Sequence, residues 1–509
     1  MTRIRWILLG AAALVAAGVT LWAVRRTREL IRAWTRRLVL RSVHRFRVRL
    51  NRYKLVRRSV IRGELLLDRI VHHAMREHCR ETGVSEIEAR ARVERYIQEI
   101  VPFFNVLSYY RFGYNVSRIL INLLYRVSIT HADRAALDAI PQRDIVVYLI
   151  NHRSNADYVV VAYVLAEGVS ISYAVGEWAR TWPLEYIFKS FGSYFIRRRF
   201  REPLYHTVLE RYIQLITRNG VTQGIFLEGG LSRDGALRPA KIGLLDYVAR
   251  TLVDPAFDRD IWLVPVALNY DRVLEDRSLI RELIDEADRP GRGRQLAGVV
   301  HYVGWNVLRF LTGNLKRYGR VAVNFGTPLS LSAWAANHPG ALELPKEERL
   351  PEVQRLADTL LARIAEIVPV TSVPLCAAVL LSFGETLVPR NRLLERLDIY
   401  RDHLLQREAK LVHAERDAEA IWDRAWRTFR MRRLVVREGD AYIILPSQRP
   451  LLEYYANSVR HLLPRERPVE QPHPAREVDE SLPRLKQWQP APRGEGQTGG
   501  RADRRKGGR

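Results

Sequence analysis

The sequence predicts an α/β fold: a central parallel or mixed sheet covered by helices, with a helical region before it and a small α+β region after it. Three observations predict this. Apolar runs short enough for buried strands recur at 145–150, 169–175, 193–197, 223–228, 261–268 and 321–325. Helical stretches such as 157–166, 203–218 and 241–252 separate most of them, the alternation expected of a sheet with covered faces. Outside about 130–369 that alternation is absent. The expected organisation is a membrane anchor with a basic juxtamembrane segment (1–60), a helical region (61–129), the α/β domain (130–384), a helical and hairpin region (385–463) and a disordered tail (464–509).

Trp6–Val24 is a run without a charge, long enough to cross a bilayer, with Trp6 and Trp22 where interfacial aromatics belong. A cleaved signal peptide is the rival reading. No small-x-small cleavage site follows, and Arg25-Arg26 abut the run, so it reads as an uncleaved anchor. Arg3 and Arg5 precede it, whereas Arg25, Arg26, Arg28, Arg32, Arg36 and Arg37 follow. The positive-inside rule then puts the bulk of the chain in the cytoplasm, held at the cell inner membrane. The net charge of +26 asks for an anionic partner. Beside a membrane anchor, the Arg-rich 25–60 segment finds it most simply in anionic lipid headgroups. No helix-turn-helix, zinc finger or ribonucleoprotein aromatic motif supports nucleic acid.

Residues 86–100 read as a charged helix. From Pro102 to Val127 an aromatic-rich stretch places Arg111, Asn115, Arg118, Asn122 and Arg126 at helical spacing, one polar stripe on an apolar helix. Such a helix lies in the membrane interface or packs in a bundle, and the sequence leaves both open. Pro265 inside a strand run suggests an edge or a bulge. Tyr302–Leu311 is apolar, with core packing as the default reading. Ile367–Phe383 is apolar but broken by Pro369 and Pro374, so it reads as a buried helix or a re-entrant segment. Leu434–Leu445 reads as a hairpin around Glu438-Gly439-Asp440, followed by a helix carrying Tyr454, Tyr455 and His461. Cys79 and Cys376 offer neither a disulfide framework nor a metal set.

The candidate chemistry sits where the run Ile145–Ile150 breaks into Asn151-His152-Arg153-Ser154-Asn155 and Asp157 opens a helix. A neutral imidazole can take a proton from an alcohol, and a carboxylate on its other nitrogen fixes the tautomer. On this segment alone, an Asp157 that merely caps the helix and a surface His152 make an equal reading.

Three further segments change that balance. His152-Arg-Ser-Asn-Ala-Asp157 resembles the first motif of the glycerolipid acyltransferases, and Gly192-Ser-Tyr-Phe-Ile-Arg-Arg-Arg-Phe200 the second. Phe226-Leu-Glu-Gly-Gly-Leu-Ser-Arg-Asp-Gly235 resembles the third and Val264–Glu275 the fourth, all in the family's order. The arginines after Phe195-Ile196 and the sequence Asn269-Tyr-Asp-Arg-Val are similar to the glycerol-3-phosphate acyltransferase branch. The resemblance implies acyl transfer from acyl-CoA or acyl carrier protein to the sn-1 hydroxyl of glycerol 3-phosphate, giving lysophosphatidate, with no cofactor and no metal. It makes His152 the base and Asp157 its orienting partner. It gives substrate-binding roles to Arg153, Ser154, Gly192, Phe195, Arg197, Arg198, Glu228, Gly229, Ser232, Arg233 and Pro265, with Arg197 and Arg198 as the phosphate ligands. One departure stands out: Leu231 occupies a position where the family usually has arginine. Either Arg233, Arg238 or Lys241 compensates, or the acceptor is another one, such as dihydroxyacetone phosphate, lysophosphatidate or a lysolipid. An inactive, membrane-bound basic scaffold is the reading from another class. No Gly-x-Ser-x-Gly elbow, Walker loop or His-Glu-x-x-His pair supports a rival enzyme.

Overall fold

Helices α1 (Arg58–Leu66), α2 (Arg69–Thr82) and α3 (Glu86–Ile100) lead into the sheet of this computed structural model. The structure describes residues 58–103, 114–165, 171–176, 180, 184–190, 192–197, 200–284, 318–384, 387–413 and 415–464. The anchor run, the basic segment to residue 57, Arg111, Arg198, Tyr302–Leu311 and the tail from 465 lie outside the described residues. Among the described residues, no helix is long and apolar enough to cross a membrane. Short-range signals set these helix ends. Asp68 caps α2 by accepting from the amides of Ile70 at 2.9 Å and Val71 at 3.2 Å. Ser85 and Glu88 close a reciprocal capping box on α3.

Helix α4 (Tyr114–Leu124) carries Asn115, Arg118 and Asn122 of the expected stripe, but Arg126 opens strand β1 (Arg126–Ala132). The helix expected to run to Val127 is cut short by strand pairing. Tyr318 N donates to the Leu124 carbonyl at 2.7 Å, and Arg126 N donates to Gly319 O at 2.9 Å. Long-range pairing thus outweighs the local 3.6-residue period. After it come α5 (Arg134–Asp138), β2 (Ile145–Ile150), α6 (Asp157–Leu165), β3 (Ser172–Gly176), α7 (Leu184–Ser190), β4 (Tyr194–Ile196), α8 (Pro203–Arg218), β5 (Gln223–Phe226), α9 (Gly243–Ala249), β6 (Ile261–Tyr270) and α10 (Asp276–Ile284). The chain continues with β7 (Arg320–Phe325), β8 (Leu329–Ser330), α11 (Leu331–Asn337), α12 (Lys346–Glu366), α13 (Ser372–Ser382), β9 (Leu387–Pro389), α14 (Arg390–Gln406), α15 (Ala418–Arg432), β10 (Val435–Glu438), β11 (Ala441–Ile444) and α16 (Arg449–Asn457).

The main sheet has the order β1-β7-β6-β2-β5-β3-β4, with β8 also on β6. Strands β6, β2, β5, β3 and β4 run parallel, and β7 pairs antiparallel with β6. The expected mostly parallel sheet flanked by helices is therefore present, and β2 lies inside it between β6 and β5. Its apolar run fits that place, because a strand enclosed on both faces has no polar side to show.

Pro265 is not at an edge. It lies in β6 opposite Leu149 of β2, where the pairing on the other side of β6 changes from β8 to β7. There Gly326 N donates to Pro265 O at 2.9 Å, and no strand hydrogen bond is asked of the missing proline N–H. Ile367–Phe383 contains α13, whose residues are mostly fully buried against α15 and α16, so the buried-helix reading stands. The hairpin pairs Glu438 with Ala441, leaving Gly439 and Asp440 as the turn, with Gly439 at a φ of 54°. A buried ion pair ties this C-terminal part to α10, the helix after β6: Arg432 grips Asp276, which also accepts from the Tyr455 hydroxyl.

Candidate active site

The chain leaves the sheet at Asn151, and the Asn151 side chain stands in for the strand that has ended. Its amide donates to Leu268 O at 3.0 Å and accepts from Leu268 N at 2.7 Å. The ladder to β6 is thus completed by a side chain, and the backbone of His152 is released to turn.

Three carboxylates then hold the turn. Asp157 Oδ2 accepts from the amides of Arg153 at 2.7 Å and Ser154 at 3.0 Å, and lies 2.9 Å from His152 Nδ1. Its Oδ1 accepts from the Tyr270 hydroxyl at 2.5 Å. Burial, and after it the charge of Asp157, push the Tyr270 phenol well above its ordinary value, so it remains a donor. Glu228, at the end of β5, accepts from His152 N at 2.8 Å and from Arg238 N at 2.9 Å. Glu275 accepts from Ser154 Oγ at 2.7 Å and from Asn155 N at 3.3 Å. Burial pushes both glutamates up to about 7, against the lowering effect of these hydrogen bonds.

The imidazole is fixed from its faces as well. It stacks on Phe226, centroids 4.0 Å apart, and meets the edge of Tyr158 at 5.6 Å. His152 is 1% exposed, so it is no surface residue. Asp157 does cap the turn, and the same oxygen orients the imidazole. The capping and catalytic readings therefore describe one geometry.

The third-motif loop lies against this turn. Ser232 N donates to His152 O at 3.1 Å, and Ser232 Oγ lies 2.6 Å from Ala236 O. Gly229 has a φ of 65°, and a Cβ there would fall 2.7 Å from Lys241 Cγ, so only glycine fits. Gly235 is tighter still: a Cβ would sit 1.8 Å from the Tyr454 carbonyl oxygen. Arg233 lies half-buried beside Ser232, and Leu231 packs on the core while its carbonyl accepts from Arg238 Nη1 at 3.2 Å.

Of the residues expected at the site, the structure brings together His152, Arg153, Ser154, Asp157, Glu228, Gly229 and Ser232. It does not bring Phe195 and Arg197 to them. Phe195 lies in β4 and Arg197 just past its end, three strands from β2 in the sheet order, about 14 Å at the usual strand spacing. Gly192 lies in the loop before β4, next to Ser193, whose amide donates to Phe188 O, and the Phe188 ring packs on the Tyr158 that meets the imidazole. Arg197 has its fork on Glu99, with Nε at 2.7 Å and Nη2 at 2.6 Å, and its guanidinium faces Phe200 at 4.7 Å. The phosphate ligand expected at Arg197 instead ties the end of β4 to α3, because a nearer carboxylate already takes its Nε–Nη2 fork. Pro265 is buried in mid-strand, and the fourth motif reaches the turn through Tyr270 and Glu275 instead. Sequence reasoning missed these two and Phe226. All three lie inside the third and fourth motifs quoted above, and position adds a second signal: Phe226 and Tyr270 end β5 and β6, the strands either side of β2. Among the described residues, no group of His, Cys, Asp and Glu is arranged to hold a metal ion.

Comparison with known proteins bears on what this turn does. Residues 134–269 match the family model described as acyltransferase, and residues 304–466 match that described as glycerol-3-phosphate acyltransferase C-terminal region. A glycerol-3-phosphate acyltransferase of Aeromonas hydrophila subsp. hydrophila is 31% identical over 422 residues, covering 80% of this chain and 50% of that protein. One from Actinobacillus succinogenes is 29% identical over 423 residues, covering 81% and 50%. The chain spans about half the length of the curated relatives it matches. A solved 1-acyl-sn-glycerophosphate acyltransferase from Thermotoga maritima is 15% identical with a TM-score of 0.28, covering 60% of this chain and 86% of that one, a likeness too loose to bear on the fold.

Proposed function

We propose an activity for a chain that carries both the acyltransferase domain and the C-terminal region of the glycerol-3-phosphate acyltransferase family. It transfers a fatty acyl group from a thioester, acyl-CoA or acyl carrier protein, to the sn-1 hydroxyl of glycerol 3-phosphate. The observation that carries this reading is the 2.9 Å contact of His152 Nδ1 with an Asp157 carboxylate that three other groups, the amides of Arg153 and Ser154 and the Tyr270 hydroxyl, also hold.

With Nδ1 engaged, proton transfer runs through Nε2. His152 takes the proton of the acceptor hydroxyl as its oxygen attacks the thioester carbonyl. The C–S bond then breaks, and the imidazolium returns the proton to the departing thiolate. Asp157 steadies that cation, and Tyr270 holds the second carboxylate oxygen. General acid–base assistance of this kind contributes roughly 10²–10⁴ in rate. A thioester is already activated, so the reaction asks for neither cofactor nor metal. The remaining substrate-binding roles fall to Arg153, Ser154, Glu228, Gly229, Ser232 and Arg233. Arg197 can offer its Nε–Nη2 fork to a phosphate only by releasing Glu99.

The anchor Trp6–Val24 and the Arg-rich segment after it keep the enzyme at the inner membrane, with the site facing the cytoplasm and basic residues on anionic lipid. Leu231, in the place of the family's usual arginine, favours a second reading: the same chemistry on dihydroxyacetone phosphate, lysophosphatidate or a lysolipid. The deciding assay gives detergent-solubilised protein labelled acyl-CoA with each of glycerol 3-phosphate, dihydroxyacetone phosphate and lysophosphatidate. Product from glycerol 3-phosphate alone, reduced by at least two orders of magnitude in a folded His152→Ala variant, is expected. Product from another acceptor moves the substrate. Activity that survives His152→Ala removes the mechanism.

A further inference from the structure

We propose that Arg153 is the seat of the acceptor's phosphate, held in its pose by the ring of Tyr454. The inference rests on the acyl transfer proposed above and names the contact by which that site grips its substrate.

Arg153 is 2% exposed. Its Nη1 donates to the carbonyl of Gly235, and its guanidinium carbon lies 5.2 Å from the centre of the Tyr454 ring. Its Nε and Nη2 have no hydrogen-bond partner among the described residues. A buried cation with two unbonded N–H groups is costly, and folds tolerate such groups where a ligand supplies the acceptors. The two nitrogens in question are also the right two. Nε and Nη2 form the side-on fork of a guanidinium, the pair whose parallel N–H bonds match two oxygens of one phosphate.

Position agrees with chemistry. Arg153 follows His152 directly, and the same Asp157 oxygen fixes the Arg153 amide and the His152 ring. Only the three-carbon skeleton of glycerol 3-phosphate separates its reacting hydroxyl from its phosphate, so the cation has to be a near neighbour of the base. Arg197 is three strands away in the sheet order and carries Glu99 on its fork. The Arg153 charge works to lower the Glu228 pKa, against the burial that raises it. Burial holds that glutamate up to about 7, and a proton there removes its repulsion of a bound dianion.

The pose depends on the C-terminal helix α16. Gly235, which fixes Nη1, sits directly on the Tyr454 backbone, and Asn457 Nδ2 donates to Asp234 O at 2.9 Å. The segment after the acyltransferase match therefore shapes the surroundings of the Arg153 guanidinium.

A role for Arg153 as mere counter-charge to Glu228 is the competing account, and two variants separate the two. Arg153→Lys keeps the charge and loses the fork, whereas Arg153→Gln loses both. Thermal unfolding of the full chain in detergent establishes that each is folded. Steady-state kinetics with acyl-CoA, and calorimetric titration with glycerol 3-phosphate and separately with inorganic phosphate, then give the answer. The expected result is a rise of about a hundredfold in KM for glycerol 3-phosphate in Arg153→Gln and at least tenfold in Arg153→Lys, with KM for acyl-CoA unchanged. Calorimetric binding should be lost in parallel. If Arg153→Gln does not fold, the lysine variant decides, because the counter-charge role predicts no loss there. A glycerol 3-phosphate affinity within threefold of wild type in the folded variants overturns the assignment. Should wild-type protein acylate none of the acceptors yet bind glycerol 3-phosphate through Arg153, the activity falls and the phosphate site stands. Acylation with an unaltered KM in both variants means the reverse.

Discussion

The turn from His152 to Asp157 and the strand Tyr194–Ile196 each deliver an arginine from one of the family's motifs, and the fold treats the two oppositely. At the turn, Asp157, Glu228 and Glu275 spend their oxygens on backbone amides, two hydroxyls and an imidazole, and none of them takes the Arg153 guanidinium. At the sheet edge, Glu99 gives both oxygens to Arg197 and receives Arg180 at 2.8 Å as well. The first arrangement leaves a cation available for a substrate. The second consumes one to dock a helix. Motif membership alone does not distinguish them, because the difference lies in which carboxylate the fold brings near.

The sharpest test of that contrast is the pH dependence of stability. Glu228 is 1% exposed and its two oxygens accept from amides, and burial, outweighing those bonds and the Arg153 charge, raises it from 4.5 to about 7. Below about 4.5 the group is protonated in both folded and unfolded chains. Between 4.5 and 7 the unfolded chain gives up the proton that the folded chain keeps. The stability this proton lends is present at low pH and is lost as pH rises through about 7. A displacement of this size is worth about 3 kcal/mol. Glutamine imitates the protonated carboxyl, so Glu228→Gln should match wild type at pH 5 and exceed its stability by about 3 kcal/mol at pH 8. Unfolding curves that stay parallel across that range would show that the turn is not held by an uncompensated carboxylate.

The edge should behave in the other way. Removing Arg197 leaves the buried Glu99 carboxylate with Arg180 alone, and removing the carboxylate leaves the guanidinium half-buried without its fork. Arg197→Met and Glu99→Gln should each lower stability by about 2 kcal/mol, the double variant by much less than the sum. KM for glycerol 3-phosphate should stay within threefold. A tenfold rise in KM for a well-folded Arg197→Met would return the phosphate to the second motif and dissolve the contrast.

The same contrast explains what was legible beforehand. Strand β2, the break at Asn151 and helix α6 are written locally, in apolar continuity and cap residues, and the structure has them at 145–150, 151–156 and 157–165. The pairing of His152 with Asp157 follows from five residues of spacing along one turn. Strand β1 was not legible, because its backbone is claimed by β7, some 190 residues later in the chain. Asn324 there accepts from Thr130 Oγ1 at 2.7 Å and from His131 N at 3.0 Å, which secures the irregular register. Tyr270 and Glu275 were hidden for the same reason: their roles exist only once β6 lies beside β2. The partner of Arg197 was equally remote, since Glu99 sits on a helix of a different region.

Leu231 supplies the smallest effect and the most direct comparison of the two arginines. If phosphate were waiting for a missing third-motif arginine, Leu231→Arg should complete the site and lower KM for glycerol 3-phosphate by an order of magnitude or more. The geometry argues against this. Leu231 packs on the core, and its carbonyl already receives Arg238, so the position faces hydrophobic neighbours more than the turn. With Arg153 holding the phosphate, Leu231→Arg should change KM by less than threefold, and burial of its charge should cost about 1 kcal/mol of stability in unfolding measurements. A large fall in KM would mean that the loop from Gly229 to Gly235 is the true phosphate cradle, and that Arg153 belongs, with Arg197, among the arginines the fold uses for itself.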